Sequence, residues 1–377
     1  MLAHHNNFDF LRLLFAILVI ITHSYTLTGV FYNDGMYQLT NKQITFSRIG
    51  LYGFFTISGY LILQSLNNSS SLSEYYIKRV LRIFPGLFVV LVLTVIFFSL
   101  LSNTFSPIGY FTLSKEPYTY VISNLLPFGP FQGTILDTIK NNPYPVFINA
   151  SIWTLRYEVL FYIVLSSIFF IRRRKQIVNL LLAVTFIVLY VLRFHDSNFL
   201  QFVLFNQFNI EPDTFILASQ QTNYKMTGFR PFALIDFGLY FTAGALLSSF
   251  RFDSYKNKGK LASILFIVSL IAIAYNIYVL LEVFMFPVII LTIGLANTKW
   301  IGGLNSKIGD LSYGVYIYGF VIQQVLLHFF DFNQLELTLA TIPIALIAGY
   351  FSWNLIEKRF IRLKNSKQVE PRILVSR

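Results

Sequence analysis

The stretch "FDFLRLLFAILVIITHSY" (residues 8–25) is apolar enough to cross a membrane, yet it contains Asp9, Arg12 and His23. Ionisable groups at membrane depth are costly and point to function by default. An imidazole titrates near neutral pH and can take a proton from a hydroxyl, whereas a guanidinium holds phosphate or carboxylate oxygens in a bidentate grip. Arg12 and His23 are eleven residues apart, about three helical turns plus ~20°, so they share one face at heights ~16 Å apart. Asp9 falls on the same stripe. Structure alone also accounts for these residues: Asp9 paired with Arg12 at the interface, and His23 hydrogen-bonded to a neighbouring helix. A second acid, Glu158, lies in the apolar stretch that starts near Ala150. It would sit ~12 Å deep, and His23 ~9 Å deep when measured from Gly29, so the two can meet if their helices are neighbours.

The elements that must position these groups are membrane helices. Of 377 residues, 55% are hydrophobic and only 12% charged, far from the balance of a soluble domain. Apolar runs of bilayer length recur along the chain, and the ~10-residue alternation of a membrane β-barrel does not stand out. The fold class expected is an all-α integral membrane protein, a polytopic bundle of about ten transmembrane helices: 9–29, 47–66, 84–104, 150–171, 176–195, 231–250, 261–280, 282–298, 310–329 and 335–357. A tight turn near Glu282 divides the seventh from the eighth.

Lysine and arginine set the direction. Lys78, Arg79, Arg82, the "RRRK" of 172–175, Arg251, Lys256, Lys258, Lys260, Lys299, Lys307 and the C-terminal segment alternate with the sparser Lys42, Arg48, Lys115, Lys140, Arg193, Lys225 and Arg230. The positive-inside rule then places both termini in the cytoplasm. Residues 1–362 read as one transmembrane domain and 363–377 as a basic cytoplasmic tail. The long outer segments 105–149 and 196–230 are expected to cap the outer mouth. The net charge of +12 is explained by this topology, so no nucleic-acid partner is expected. The first span lacks a signal-peptide cleavage pattern and is expected to stay as a helix. Cysteine is absent, which excludes disulfides and thiolate chemistry. No metal-ligand cluster is recognisable, since the adjacent His4 and His5 do not converge on one helix face.

Further motifs follow in order. "FFTISGYLI" (54–62) is followed by "YIKRVLRIFPGL" (76–87), with Arg79 and Arg82 three apart on one face. Then come "IWTLRYEVLFYI" (152–163), "IGDLSYGVYIYGF" (308–320) and "FSWNLIEKRFI" (351–361). With Asp9-x-x-Arg12 and the Arg-x10-His spacing, this series resembles the membrane acyltransferase 3 family over nearly the whole chain. Members of that family O-acylate surface and secreted carbohydrates. The sequence departs from the family where Tyr52 and Gly53 replace a frequent acidic residue, where Gly319 replaces a frequent histidine, and where Arg359 replaces the proline of "EKP".

The resemblance implies a membrane O-acyltransferase with acyl-CoA, most simply acetyl-CoA, as cytoplasmic co-substrate and no tightly bound cofactor. The implied acceptor is a hydroxyl of a surface glycan or lipid-linked oligosaccharide, and the implied site a multi-pass protein of the bacterial inner membrane, among its lipids. His23 is the expected general base, and Glu158 the group that orients the imidazole or the sugar. Arg12, Arg79 and Arg82 are the expected donor-binding residues, although Arg79 and Arg82 also fit topology or lipid headgroups. Asp9 is assigned to orienting Arg12, Ser58 with Gly59 to close helix packing or, less readily, nucleophilic attack, and Trp153 and Tyr313 to lining or support. A carbohydrate or lipid-linked sugar transporter is the rival reading, but paired broken helices of the kind found in inverted repeats are not evident.

Overall fold

The computed structural model describes residues 6–102, 104–195, 230–298 and 309–366, and all regular structure among them is helical. The long helices are α1 (Phe8–Leu27), α2 (Phe46–Asn68), α3 (Leu72–Phe98), α4 (Trp153–Ser166), α5 (Lys175–His195), α6 (Pro231–Ser249), α7 (Lys258–Ala274), α8 (Tyr278–Leu295), α9 (Ser312–Phe329) and α10 (Gln334–Ser352). Eight segments among the described residues are long and apolar enough to cross a membrane. The two expected spans outside that set are α7, which has 17 residues, and α9, whose Gln323, Gln324 and His328 make it more polar.

Successive helices run in opposite directions between two ends of the bundle. The near end holds the start of α1, the end of α8 and the C-terminal segment: the Asn7 amide donates to Gly294 O at 2.8 Å. The far end holds the close of α1 and the turn between α7 and α8, where the Gln43 side chain donates to Ile273 O at 2.9 Å.

α2 lies at the centre, packed between α1 and α6. Its crossing with α6 needs glycine on both sides. A Cβ on Gly59 would stand 1.9 Å from Phe241 O, and one on Gly244 would stand 2.0 Å from Thr56 O. Small residues let helix backbones approach in this way where the surrounding lipid offers no hydrophobic drive to associate.

Several boundaries differ from expectation, each for a local reason. α3 begins at Leu72, a dozen residues early, because the Ser71 hydroxyl caps it by accepting from the Glu74 amide at 3.1 Å. Arg79 and Arg82 are therefore inside the helix. The seventh and eighth helices divide at 275–277, with Asn276 at φ 58°, so Glu282 lies within α8. Arg48 and Arg193, counted with the sparser outer-side cations, lie near the ends of α2 and α5 and pair with it at 2.5 and 2.8 Å; Arg193 also pairs with Asp236 at 3.1 Å. The Tyr52 hydroxyl donates to Asp236, and its ring stacks on Tyr240 at 3.8 Å. Buried charges are tolerated when paired in this way.

Much of segment 105–149 covers one flank of the far end, with Tyr110, Tyr120, Ile135, Ile139 and Ile148 buried in the core. Arg156 pins it by donating to the carbonyls of Gly129, Ser123 and Pro130 at 2.5, 2.8 and 3.2 Å. Most of the second long segment (196–230) and the tail from 367 lie outside the described residues.

Candidate active site

Two cavities approach each other from opposite ends of the bundle. The near cavity, about 570 Å³, gathers Arg12 from α1, Ser58 from α2, Arg79 and Arg82 from α3, Glu158 from α4 and Tyr313 from α9. The three arginines expected to bind the donor thus share one wall system, but not on equal terms. Arg82 meets Asp310 at 2.5 Å and Arg12 reaches the same oxygen at 3.7 Å. Asp9 stands within electrostatic reach of this group without an ion pair of its own among the described residues. The acid that holds Arg12 is therefore Asp310 and not Asp9. Asp310 is itself held by the Ser312 amide and hydroxyl, at 3.2 and 2.5 Å. It sits inside the "IGDLSYG" motif, and its signal was a lone acid directly before an apolar helix.

Arg79 is presented differently. It donates to Ser65 Oγ at 3.0 Å and its guanidinium lies 5.2 Å from the Tyr75 ring centre, while Nη1 has no hydrogen-bond partner among the described residues. Tyr313 braces α9 against α3, donating to Ile83 O at 2.7 Å. Arg82 also lies 6.0 Å from the Trp353 ring.

Glu158 accepts from the Tyr162 hydroxyl and, at 3.4 Å, from Ser58. Arg156 is turned away to loop carbonyls, so the two do not pair. Among the described residues Ser58 has no imidazole beside it; its partners there are Glu158 and, at 3.3 Å, Tyr162.

The far cavity is smaller, about 280 Å³, and contains His23 with Thr26, Tyr144, Trp153, Arg230 and Phe320. The imidazole meets the Phe320 ring edge-to-face, with centroids 4.9 Å apart. Its Nδ1 is buried with no hydrogen-bond partner among the described residues. The Arg230 guanidinium lies 5.4 Å from the Trp153 ring centre. His23 and Glu158 thus line different cavities, because α4 packs against α2 and α6; the equal depths expected from sequence do not bring them into contact.

Only a thin wall divides the cavities. On three elements, residues of one cavity neighbour residues of the other: Ser47 and Leu51, Trp153 and Thr154, Phe320 and Tyr316. Two of these pairs are four residues apart, just over one helical turn, or about 6 Å along the axis. Thr154 and Tyr316 share a 2.6 Å hydrogen bond there, and Phe54 meets the Tyr316 ring edge-on at 5.5 Å.

A helical membrane bundle with cationic side chains in one cavity and, in the opposite one, an imidazole whose Nδ1 has no hydrogen-bond partner among the described residues has the makings of a multi-pass group-transfer enzyme. The acyltransferase 3 family, described as an acyltransferase domain, matches residues 5–356, and the chain belongs to it. It is a membrane O-acyltransferase. The chain is 28% identical to an "O-acetyl transferase" of Shigella phage Sf6 over 96% of its own length and 98% of the relative's. It is 40% identical to "Nodulation protein 10" of Rhizobium leguminosarum bv. viciae over 23% of each chain. No solved structure matches it.

Proposed function

We propose that the protein transfers an acyl group, acetyl in the simplest case, from acyl-CoA to a hydroxyl of a surface polysaccharide or its lipid-linked precursor. The near end would face the cytoplasm, with both termini there, and the membrane would be a bacterial inner membrane. The name of the phage relative supports acetyl as the group moved. The concentration of lysine and arginine at the near end supports the orientation.

The observation that carries the reading is the pair of back-to-back cavities, with His23 on one side of the thin wall and Arg12, Arg79 and Arg82 on the other. The donor would lie in the near cavity with its thioester pointed at the wall, and the acceptor would come from the far side. The acceptor oxygen attacks the thioester carbonyl carbon while His23 takes its proton. The tetrahedral adduct then collapses, the carbon–sulfur bond breaks, and CoA leaves as the thiolate or takes a proton back from the imidazolium. A base needs a lone pair within reach of the acceptor, and the His23 imidazole, as a lining group of the far cavity, would supply it there. General-base action of this kind contributes ~10²–10⁴-fold, with positioning supplying much of the remainder. Glu158, across the wall from His23, is assigned to the donor side, where it orders Tyr162 and Ser58.

The test is purified protein, unaltered and as His23→Ala, incubated with radiolabelled acetyl-CoA and a panel of bacterial surface glycans. Ester-linked label is expected with the unaltered protein and a loss of ~10²-fold or more with the variant, both remaining folded. Equal labelling by both would remove His23 from the chemistry.

A further inference from the structure

Beside the arginine cavity the near end holds a second basin, about 780 Å³, whose walls come from the end of α2, the turn after α4 and the end of α6. Arg172, Arg173, Lys175 and Arg251 line it, and Asp253 is the carboxylate among them. The basin and the donor cavity adjoin. Asn68 lines both, and Gln64 and Asn67 of the basin alternate with Ser65 of the cavity along the last turns of α2.

A run of cations at a membrane edge is ordinarily topology alone. Two observations go beyond that. First, these cations come from separate segments of the chain and converge on one concavity, whereas topology requires only that they lie in loops. Arg172 is fixed in the wall, its guanidinium 3.7 Å from the Phe169 ring centre and donating to Leu66 O at 3.3 Å. Arg173, Lys175 and Arg251 are exposed and form no ion pair among the described residues.

Second, the charge inside the donor cavity is already largely balanced. Arg12 and Arg82 share Asp310, with Asp9 close by, and Lys78 pairs with Glu74 at 2.6 Å. Of the cavity's cations that leaves Arg79, which forms no ion pair among the described residues, and one guanidinium is little positive charge for a pyrophosphate and a 3′-phosphate. Resting on the acyl-CoA reading above, we propose that the phosphate-bearing nucleotide end of the donor docks in this second basin. The uncharged pantetheine arm passes over Asn68 into the cavity of Arg79 and Glu158. Guanidinium groups suit phosphate oxygens in geometry as well as charge.

The experiment uses the full-length enzyme in neutral detergent with three donors: acetyl-CoA, acetyl-3′-dephospho-CoA and acetyl-pantetheine, which keeps the thioester and arm but no phosphate. Arg173→Glu with Arg251→Glu is expected to lower kcat/KM for acetyl-CoA relative to acetyl-pantetheine by tenfold or more, chiefly through KM. The dephospho donor should fall in between. Arg173→Gln with Arg251→Gln should shift the same ratio in the same direction by less, which guards against a folding defect in the charge-reversed protein. An unchanged ratio would overturn the proposal.

Anionic lipid headgroups offer the same phosphate chemistry, so both variants are repeated in vesicles of neutral and of anionic lipid. Defects that occur only in anionic vesicles, with the donor ratio intact, would assign the basin to lipid and overturn donor docking. If the unaltered enzyme uses acetyl-pantetheine but gains nothing from the nucleotide, the acyl-transfer reading stands and this proposal fails. If it uses none of the three donors, the acyl-CoA reading fails and takes the proposal with it.

Discussion

The hydroxyls of Thr154 and Tyr316 stand 2.6 Å apart in the wall between the arginine cavity and the His23 cavity. This bond ties α4 to α9 at the level where a donor thioester would have to meet an acceptor hydroxyl. Thr154 has a second partner, the Ser151 carbonyl at 3.1 Å, so losing the Tyr316 hydroxyl leaves it satisfied. Tyr316→Phe keeps the ring and should cost only about 1 kcal/mol. Tyr316→Ala removes the bulk of the wall beside Phe54. Its expected effect is on selectivity: the use of butyryl-CoA relative to acetyl-CoA should rise roughly tenfold, the scale at which apolar pockets resolve chain length. Competition between the two donors in one labelling reaction measures this, and an unchanged ratio would mean that the wall does not gauge the acyl group.

Arg12 and Arg82 are coupled through Asp310. Removing Arg82 leaves Asp310 with Arg12 and Ser312; removing Arg12 leaves it with Arg82 and Ser312. Only the double replacement strands the buried carboxylate without a cation. Arg12→Ala and Arg82→Ala together should therefore destabilise by more than the sum of the single changes, with a coupling of about 0.5–3 kcal/mol. Thermal unfolding of all four proteins in detergent gives the cycle, and strict additivity would contradict a shared carboxylate.

Glu282 bridges Arg48 and Arg193 in a region that lines neither cavity. Glu282→Gln leaves two buried guanidiniums short of charge, and breaking such a buried pair costs about 3–5 kcal/mol. The expected outcome is a sharply lower melting temperature with acyl transfer per folded molecule unchanged. Normal stability with lost activity would instead give this network a part in catalysis.

These three sites differ in how far the sequence displayed them. Apolar runs located the helices, because bilayer thickness fixes their length, and six motifs in order carried the family. The common stripe of Arg12 and His23 followed from helical geometry within one element. Relations between elements were not legible. Glu158 and His23 share a depth but not a cavity, since depth says nothing about which helices are neighbours. Asp310 was quoted within a motif, yet only its 2.5 Å approach to Arg82 gave it a role. Arg48 and Arg193 entered only the count of outer-side cations; their pairing with Glu282 and Asp236 was not legible because those partners are remote in sequence. The Thr154–Tyr316 bond spans 162 residues and has no local signature.

Ser58 and Gly59 separate packing from chemistry within one dipeptide. Gly59 faces the α6 backbone, where a Cβ would stand 1.9 Å from Phe241 O. Gly59→Ala should therefore force α2 and α6 apart, at about 1–3 kcal/mol or more, as overpacking does. Ser58 faces the arginine cavity, with Glu158 at 3.4 Å and no imidazole beside it among the described residues. Ser58→Ala should leave acyl transfer within a few-fold if, as proposed, His23 activates the acceptor hydroxyl for direct attack on the thioester. Rapid acid quench of the unaltered enzyme with labelled acetyl-CoA should then trap no acyl-protein. A Ser58-dependent acyl-protein, with transfer abolished in folded Ser58→Ala, would replace direct attack by a two-step relay in which Glu158 serves as the base for Ser58.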